Sequence, residues 1–108
     1  PKLKAYSILD VKNALFELLG ETEEQVVGIR PGEKLHEIMC PSDDSHLTFE
    51  FEDHFVIAPT IKFSSHREYD TNALGEKGKQ VQQAFEYNSG NNTQWLSEKE
   101  LLEMAKEY

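Results

Sequence analysis

Apolar residues recur at spacings of three and four between residues 7 and 19. Ile8, Val11, Leu15 and Leu18 form a stripe that Leu9, Ala14 and Leu19 widen, the pattern of an amphipathic helix. Ser7 with Asp10 reads as a capping box in which Asp stands for the usual Glu. Gly20 falls where a helix-ending glycine belongs. After an acidic turn at residues 21–24, the short β-branched run 25–29 predicts a strand, stopped by Pro31 and Gly32. Pro31 also suits the first position of a helix, so residues 33–39 are expected to be helical, with Leu35, Ile38 and Met39 inward and residues 41–44 ending it. Residues 47–51 and 54–58 predict a hairpin turning at Glu52-Asp53, with Phe49, Phe51 and Phe55 on one face, packed against the core or, as the alternative, forming an oligomer surface. Residues 61–90 hold weak periodicity and several turn residues, which predicts a long surface excursion with a short helix near residues 79–85. Ser97-x-x-Glu100 is a full capping box, followed by Leu101, Leu102 and Ala105, and predicts a C-terminal helix.

The order helix, strand, helix, hairpin, loop, helix is mixed α/β. It lacks the repeated strand–helix units of a complete parallel sheet. No G-x-G-x-x-G and no P-loop glycine pattern occurs, so the chain carries no dinucleotide cradle of its own. At 108 residues the chain suffices for one modest core, and residues 1–108 are expected to form a single domain.

Charge narrows the partners. The formal net charge is −9, which disfavours nonspecific nucleic-acid binding and anionic membrane surfaces. No apolar run approaches the roughly 20 residues that span a bilayer, and no signal-peptide pattern opens the chain. The first residue is Pro1, which suggests a piece of a longer protein. One cysteine, Cys40, excludes an intrachain disulfide and fits a cytoplasmic setting.

Chemistry concentrates in Gly28-Ile29-Arg30-Pro31-Gly32-Glu33-Lys34-Leu35-His36-Glu37. A helix starting at Pro31 would offer unpaired N–H groups and a partial positive charge to an anion. Arg30, just before it, carries a planar fork suited to phosphate. Glu33 can accept hydrogen bonds from a sugar diol. The pair suits a nucleotide. The same residues also suit a surface ion pair beside a simple Pro-Gly turn, and spacing alone leaves both readings open.

The same stretch, with Met39 just after it, resembles the C-terminal signature of the inverting UDP-N-acetylglucosamine 4,6-dehydratases. These belong to the polysaccharide-biosynthesis branch of the extended short-chain dehydrogenase/reductases. The resemblance continues through Cys40-Pro41-Ser42-Asp43-Asp44-Ser45-His46-Leu47-Thr48 and Glu52-Asp53-His54-Phe55-Val56-Ile57-Ala58-Pro59-Thr60. It resumes at Asn72-Ala73-Leu74-Gly75-Glu76-Lys77-Gly78, Tyr87-Asn88-Ser89 and Asn91-Asn92-Thr93-Gln94-Trp95-Leu96. The Arg-Pro-Gly-Glu-Lys block is shared with related UDP-sugar C4-epimerases and C6-reductases of capsule synthesis. The Asp-Asp-Ser-His-Leu-Thr and Glu-Asp-His-Phe blocks favour the dehydratases. Lys4-Ala5 departs from the family's more usual Pro-Ser, so Ser7 is left to cap the first helix one turn later.

The resemblance implies a mixed α/β C-terminal substrate-binding region of an extended short-chain dehydrogenase/reductase, without its Rossmann nucleotide domain. It assigns Arg30 to the pyrophosphate and Glu33 to the uridine ribose of a UDP-sugar. It places the NADP loop, the Tyr-x-x-x-Lys pair and the acid/base residues outside this chain, which then holds no catalytic residue and binds no cofactor alone. In the parent enzyme it implies hydride transfer from C4 of the sugar to NADP, loss of water across C5 and C6, and hydride return at C6 with inversion at C5, on the route to pseudaminic acid. The implied partners are the UDP-sugar, the parent's own N-terminal nucleotide-binding domain and further copies in a homo-oligomer. The rival class is a stand-alone, non-catalytic binding or assembly module, suggested by the missing dinucleotide site and the strong acidity.

Other motifs carry less. His36-Glu37-x-x-Cys40 imitates a zinc-protease helix, with His46 nearby, but lacks the second histidine of that motif. No metal site is expected, and Cys40 reads as a half-buried small apolar residue. Trp95 and Leu96 precede the last helix, where Leu96 suits a hydrophobic staple. Asn91-Asn92-Thr93 matches a glycosylation sequon, with nothing else pointing to secretion.

Overall fold

A computed structural model describes residues 1–61 and 68–108. These residues form two compact units, each built from separate stretches of chain: Pro1–Leu3 with Ile38–Asn91, and Lys4–Glu37 with Asn92–Tyr108. The content is mixed helix and strand, as expected.

The second of these units rests on two helices with locally encoded ends. Helix α1 spans Ile8–Leu19. Ser7 caps it, its hydroxyl accepting the Leu9 N–H at 3.2 Å. Asp10 places a negative charge in the first turn, which favours the positive helix end. The Gly20 N–H donates to the Phe16 carbonyl at 2.8 Å with φ at 95°, a conformation that costs glycine little. Helix α2 spans Glu98–Lys106 and begins with the complete capping box. Ser97 Oγ accepts the Glu100 N–H at 3.3 Å, and Glu100 Oε2 accepts the Ser97 N–H at 2.8 Å. The helices pack together, burying Ala14 of α1 and Leu102 of α2, with Asn13 Nδ2 donating to Glu98 Oε2 at 3.3 Å. A parallel bridge between Ala5 and Trp95 ties the entry to α1 to the entry to α2.

The first unit is built on short strands: β1 (Ile38–Cys40), β2 (Thr48–Glu50), β3 (Phe55–Ile57), β4 (Lys79–Gln80) and β5 (Tyr87–Asn88). The expected hairpin forms. β2 and β3 pair antiparallel with Thr48 opposite Ile57, Phe49 opposite Val56 and Glu50 opposite Phe55. β4 adds antiparallel to the other edge of β2. β1 pairs with β5 in a separate two-stranded sheet with an irregularity between Ile38 and Cys40. A 3-10 turn, Ser42–Leu47, links β1 to β2. At its end the fully buried Thr48 donates its hydroxyl to the Asp44 carbonyl at 2.7 Å. The Thr48 hydroxyl also lies 3.3 Å from the sulfur of Cys40.

The phenylalanines do not share one face. Directly opposed residues project to the same side of a sheet, so Phe55 goes with Glu50, while Phe49 and Phe51 alternate to the other side. Phe51 is buried there, stacked on His54 with ring centroids 4.5 Å apart. On the Phe55 side, Lys2 bonds Glu50 at 2.8 Å and sits 5.1 Å from the Phe55 ring centre. Phe55 also contacts Phe85 and Tyr87. The Tyr87 hydroxyl accepts the Leu3 N–H and donates to the Leu3 carbonyl.

Three expected elements differ. Residues 33–39 form no helix: a turn at Pro31-Gly32 leads through a bend at residues 35–36 into β1. Gly32 has φ at 85°, outside the helical region, so no helix runs through it. Residues 25–29 form no strand, because a strand needs a ladder partner and none lies beside them among the described residues. Residues 79–85 hold β4 and a turn closed by the Phe85 N–H on the Gln82 carbonyl at 3.1 Å, not a helix. Within the expected excursion, residues 62–67 lie outside the described residues. Beyond them, Asn72 Oδ1 accepts the N–H groups of Leu74 and Glu76, closing a tight polar loop.

Candidate functional site

The Arg30–Glu33 segment is a four-residue turn. The Glu33 N–H donates to the Arg30 carbonyl at 3.1 Å. Pro31 occupies the second position, where its fixed φ fits, and Gly32 the third with φ at 85°. Proline cannot take a positive φ, so this is a type II turn, which requires glycine at that third place. The side chains add to it. Glu33 Oε2 accepts the Arg30 N–H at 2.9 Å, and Glu33 Oε1 lies 3.8 Å from Arg30 Nε.

Both side chains lie open to water, Arg30 at 74% exposure. An ion pair this exposed and this long contributes little to stability. The turn therefore holds a guanidinium and a carboxylate beside one another at low cost for separating them. Arg30 keeps most of its donor fork available for an oxyanion, and Glu33 keeps acceptor capacity for hydroxyls. The helix N-terminus expected at this point is absent, and with it the row of free N–H groups and the dipole. The Glu33 N–H is already spent closing the turn. The charged donor left to the segment for an anion is the Arg30 guanidinium.

The remaining candidates separate. Cys40 is almost fully buried, more so than expected, against Thr48. The imidazole of His46 bonds the Asp43 carbonyl through Nδ1 at 3.0 Å. Among the described residues no group of three His, Cys, Asp or Glu side chains could hold a metal ion. No helix there is long and apolar enough to cross a membrane. A pair that spacing did not single out is Asp53 with His54. Hydrogen bonding from the imidazole, partly opposed by desolvation, holds the Asp53 carboxyl below its ordinary range. The only sequence signal for it was the quoted Glu-Asp-His-Phe block.

Residues 1–59, more than half of the chain, match the family described as polysaccharide biosynthesis protein. The chain belongs to this family. Arg30 and Glu33 both fall inside the matched span. Two curated relatives extend the similarity along nearly the whole chain. One, a UDP-N-acetylglucosamine 4,6-dehydratase (inverting) of Campylobacter jejuni subsp. jejuni serotype O:2, is 51% identical over 105 residues, or 96% of this chain. Another of the same name, from serotype O:23/36, is 50% identical over 105 residues. The chain spans 30% of the length of each.

Proposed function

We propose that this chain is the C-terminal, UDP-sugar-binding region of a C5-inverting, NADP-dependent UDP-N-acetylglucosamine 4,6-dehydratase of surface-polysaccharide synthesis. The observation that carries the reading is 51% identity to such an enzyme across 96% of the chain. The exposed Arg30-Pro31-Gly32-Glu33 turn adds chemical support, because it offers one cationic fork and one carboxylate to a common ligand. On this reading residues 1–108 act together as one substrate-binding region of a longer cytoplasmic enzyme of the extended short-chain dehydrogenase/reductase type.

The division of labour follows from what the chain contains. Arg30 holds the pyrophosphate by charge-assisted hydrogen bonds. Glu33 leaves the Arg30 N–H or shares its lone pairs to accept the ribose hydroxyls. Remote binding of this kind orients the sugar at the reacting centre. The chain has no glycine-rich dinucleotide loop, so its residues do not fit NADP, and the cofactor and the proton-transfer groups belong to the rest of the parent. The redox chemistry would be the nicotinamide's.

The test uses the product of the complete reading frame. UDP-N-acetylglucosamine is incubated with it in deuterated water and followed by NMR at C4, C5 and C6. A 4-keto-6-deoxy sugar carrying deuterium at an inverted C5 is the expected product. A folded, NADP-loaded protein that leaves C5 and C6 untouched refutes the dehydratase reading.

A further inference from the structure

Residues 21–39 include no buried residue. Within this run Val26 is 91% exposed, Val27 66% and Ile29 62%, with Leu35 a turn later at 78%. Four large apolar side chains this open within ten residues of chain are the kind of surface that contact sites are made of. The backbone says the same. No hydrogen bond engages the N–H or C=O groups of residues 25–29 among the described residues. Yet Gln25-Val26-Val27-Gly28-Ile29 is rich in β-branched residues, which suit a paired strand. An apolar segment with an unpaired backbone is a template for strand addition, and Gly28, at φ 77°, would enter such a strand as a kink or bulge.

We propose that residues 25–29 are a docking edge, adding a β-strand to a sheet edge in the remainder of the parent polypeptide and burying Val26, Val27 and Ile29 there. This rests on the reading above that the chain is part of a longer enzyme. The occupant follows from length: the chain spans only 30% of its relatives, so most of such a protein is available to cover the segment. A second copy is the weaker choice, because a net charge of −9 opposes self-association. Docking there also sets the Arg30–Glu33 turn directly beyond the end of a paired strand. The substrate-binding pair is then positioned by the parent's sheet.

The experiment is hydrogen exchange on the full-length protein, read at the amides of Val26, Val27, Gly28 and Ile29, at high concentration and after dilution to monomer. The expected result is exchange slowed by about 100-fold or more relative to unstructured chain, unchanged by dilution. Exchange at the unstructured rate overturns the proposal. Protection that vanishes on dilution overturns it too, by assigning the segment to a second copy. Turnover of UDP-N-acetylglucosamine is measured on the same preparation. Protection without turnover upholds the docking edge while refuting the dehydratase reading, and turnover without protection does the reverse.

Discussion

Gly78 tests how tightly the three-stranded sheet is packed. A Cβ at this position would lie 2.6 Å from Phe51 Cε2 and 2.7 Å from Cζ. Such distances require one partner to move. Phe51 cannot swing away easily, because its ring is buried and stacked on His54 at a 5° interplanar angle. The glycine backbone is also held, its N–H donating to the Asp70 carbonyl at 2.7 Å. Gly78→Ala is therefore an overpacking change and is expected to cost about 1–3 kcal/mol. Phe51→Leu removes ring atoms that clash and on its own leaves a void, costing about 1 kcal/mol or more. Together the two should be less harmful than their sum by about 1–2 kcal/mol, the coupling of directly touching sites. Native-state hydrogen exchange at the β2 and β3 amides of the full-length protein reads each value locally. A cost for Gly78→Ala below about 0.5 kcal/mol, or strictly additive variants, would refute the close approach. Gly75→Ala is the control. It meets nothing within 4 Å but sits at φ 79°, so it should cost about 1–2 kcal/mol of backbone strain that Phe51→Leu does not relieve.

Other expectations follow from single sites. Thr48→Val keeps the shape but strips the Asp44 carbonyl of its 2.7 Å donor, and should destabilise the β2 amides by about 1–3 kcal/mol; no change would deny that hydrogen bond. Ala84 sits at φ 62°, so Ala84→Gly should stabilise the 82–85 turn by about 0.5–1 kcal/mol, strain relief exceeding the entropy glycine adds; equal or lower stability would contradict the strained geometry. The Ser97 backbone N–H, then its hydroxyl, then Lys4 hold the Glu100 carboxyl below its ordinary range. Its contribution is thus present above that range and lost as pH falls through the lower folded value. Amide protection in α2 should decline on acidification in that window, and Ser97→Ala, which removes the hydroxyl but keeps the backbone N–H, should flatten the decline only in part. Arg30→Ala in the full-length enzyme should weaken UDP-sugar binding by a few kcal/mol, roughly the scale of a lost charge contact. Isothermal titration showing unchanged affinity would remove Arg30 from the site.

The candidate site was half legible in the chain. Arg30 and Glu33 stand three apart across Pro-Gly, and a tight turn of that composition brings them together by local geometry alone. What could not be read was the element that follows. Leu35, Ile38 and Met39 carry a helix-like spacing, and Pro31 suits a helix start, but the Pro-Gly pair is equally a turn signal. Competition between the two is decided by β5. Tyr87 and Asn88, some fifty residues onward, pair with Cys40 and Ile38 and draw residues 38–40 into a strand.

The helix ends and the central hairpin were determined by the sequence itself. Ser7, Gly20, Ser97 and Glu100 act on backbone groups within four residues of themselves, so their meaning does not depend on distant chain. The β2–β3 turn is local as well, closed by the Phe51 N–H on the His54 carbonyl. Tertiary structure alone decided β1, β4 and β5, whereas the local hairpin turn already places Phe55 opposite Glu50 and so on the other side from Phe49 and Phe51. A strand's hydrogen bonds lie outside itself, and its partner can be anywhere in the chain. Residues 25–29 show the same rule from the other side: a strand-forming composition yields no strand where no partner stands beside it among the described residues.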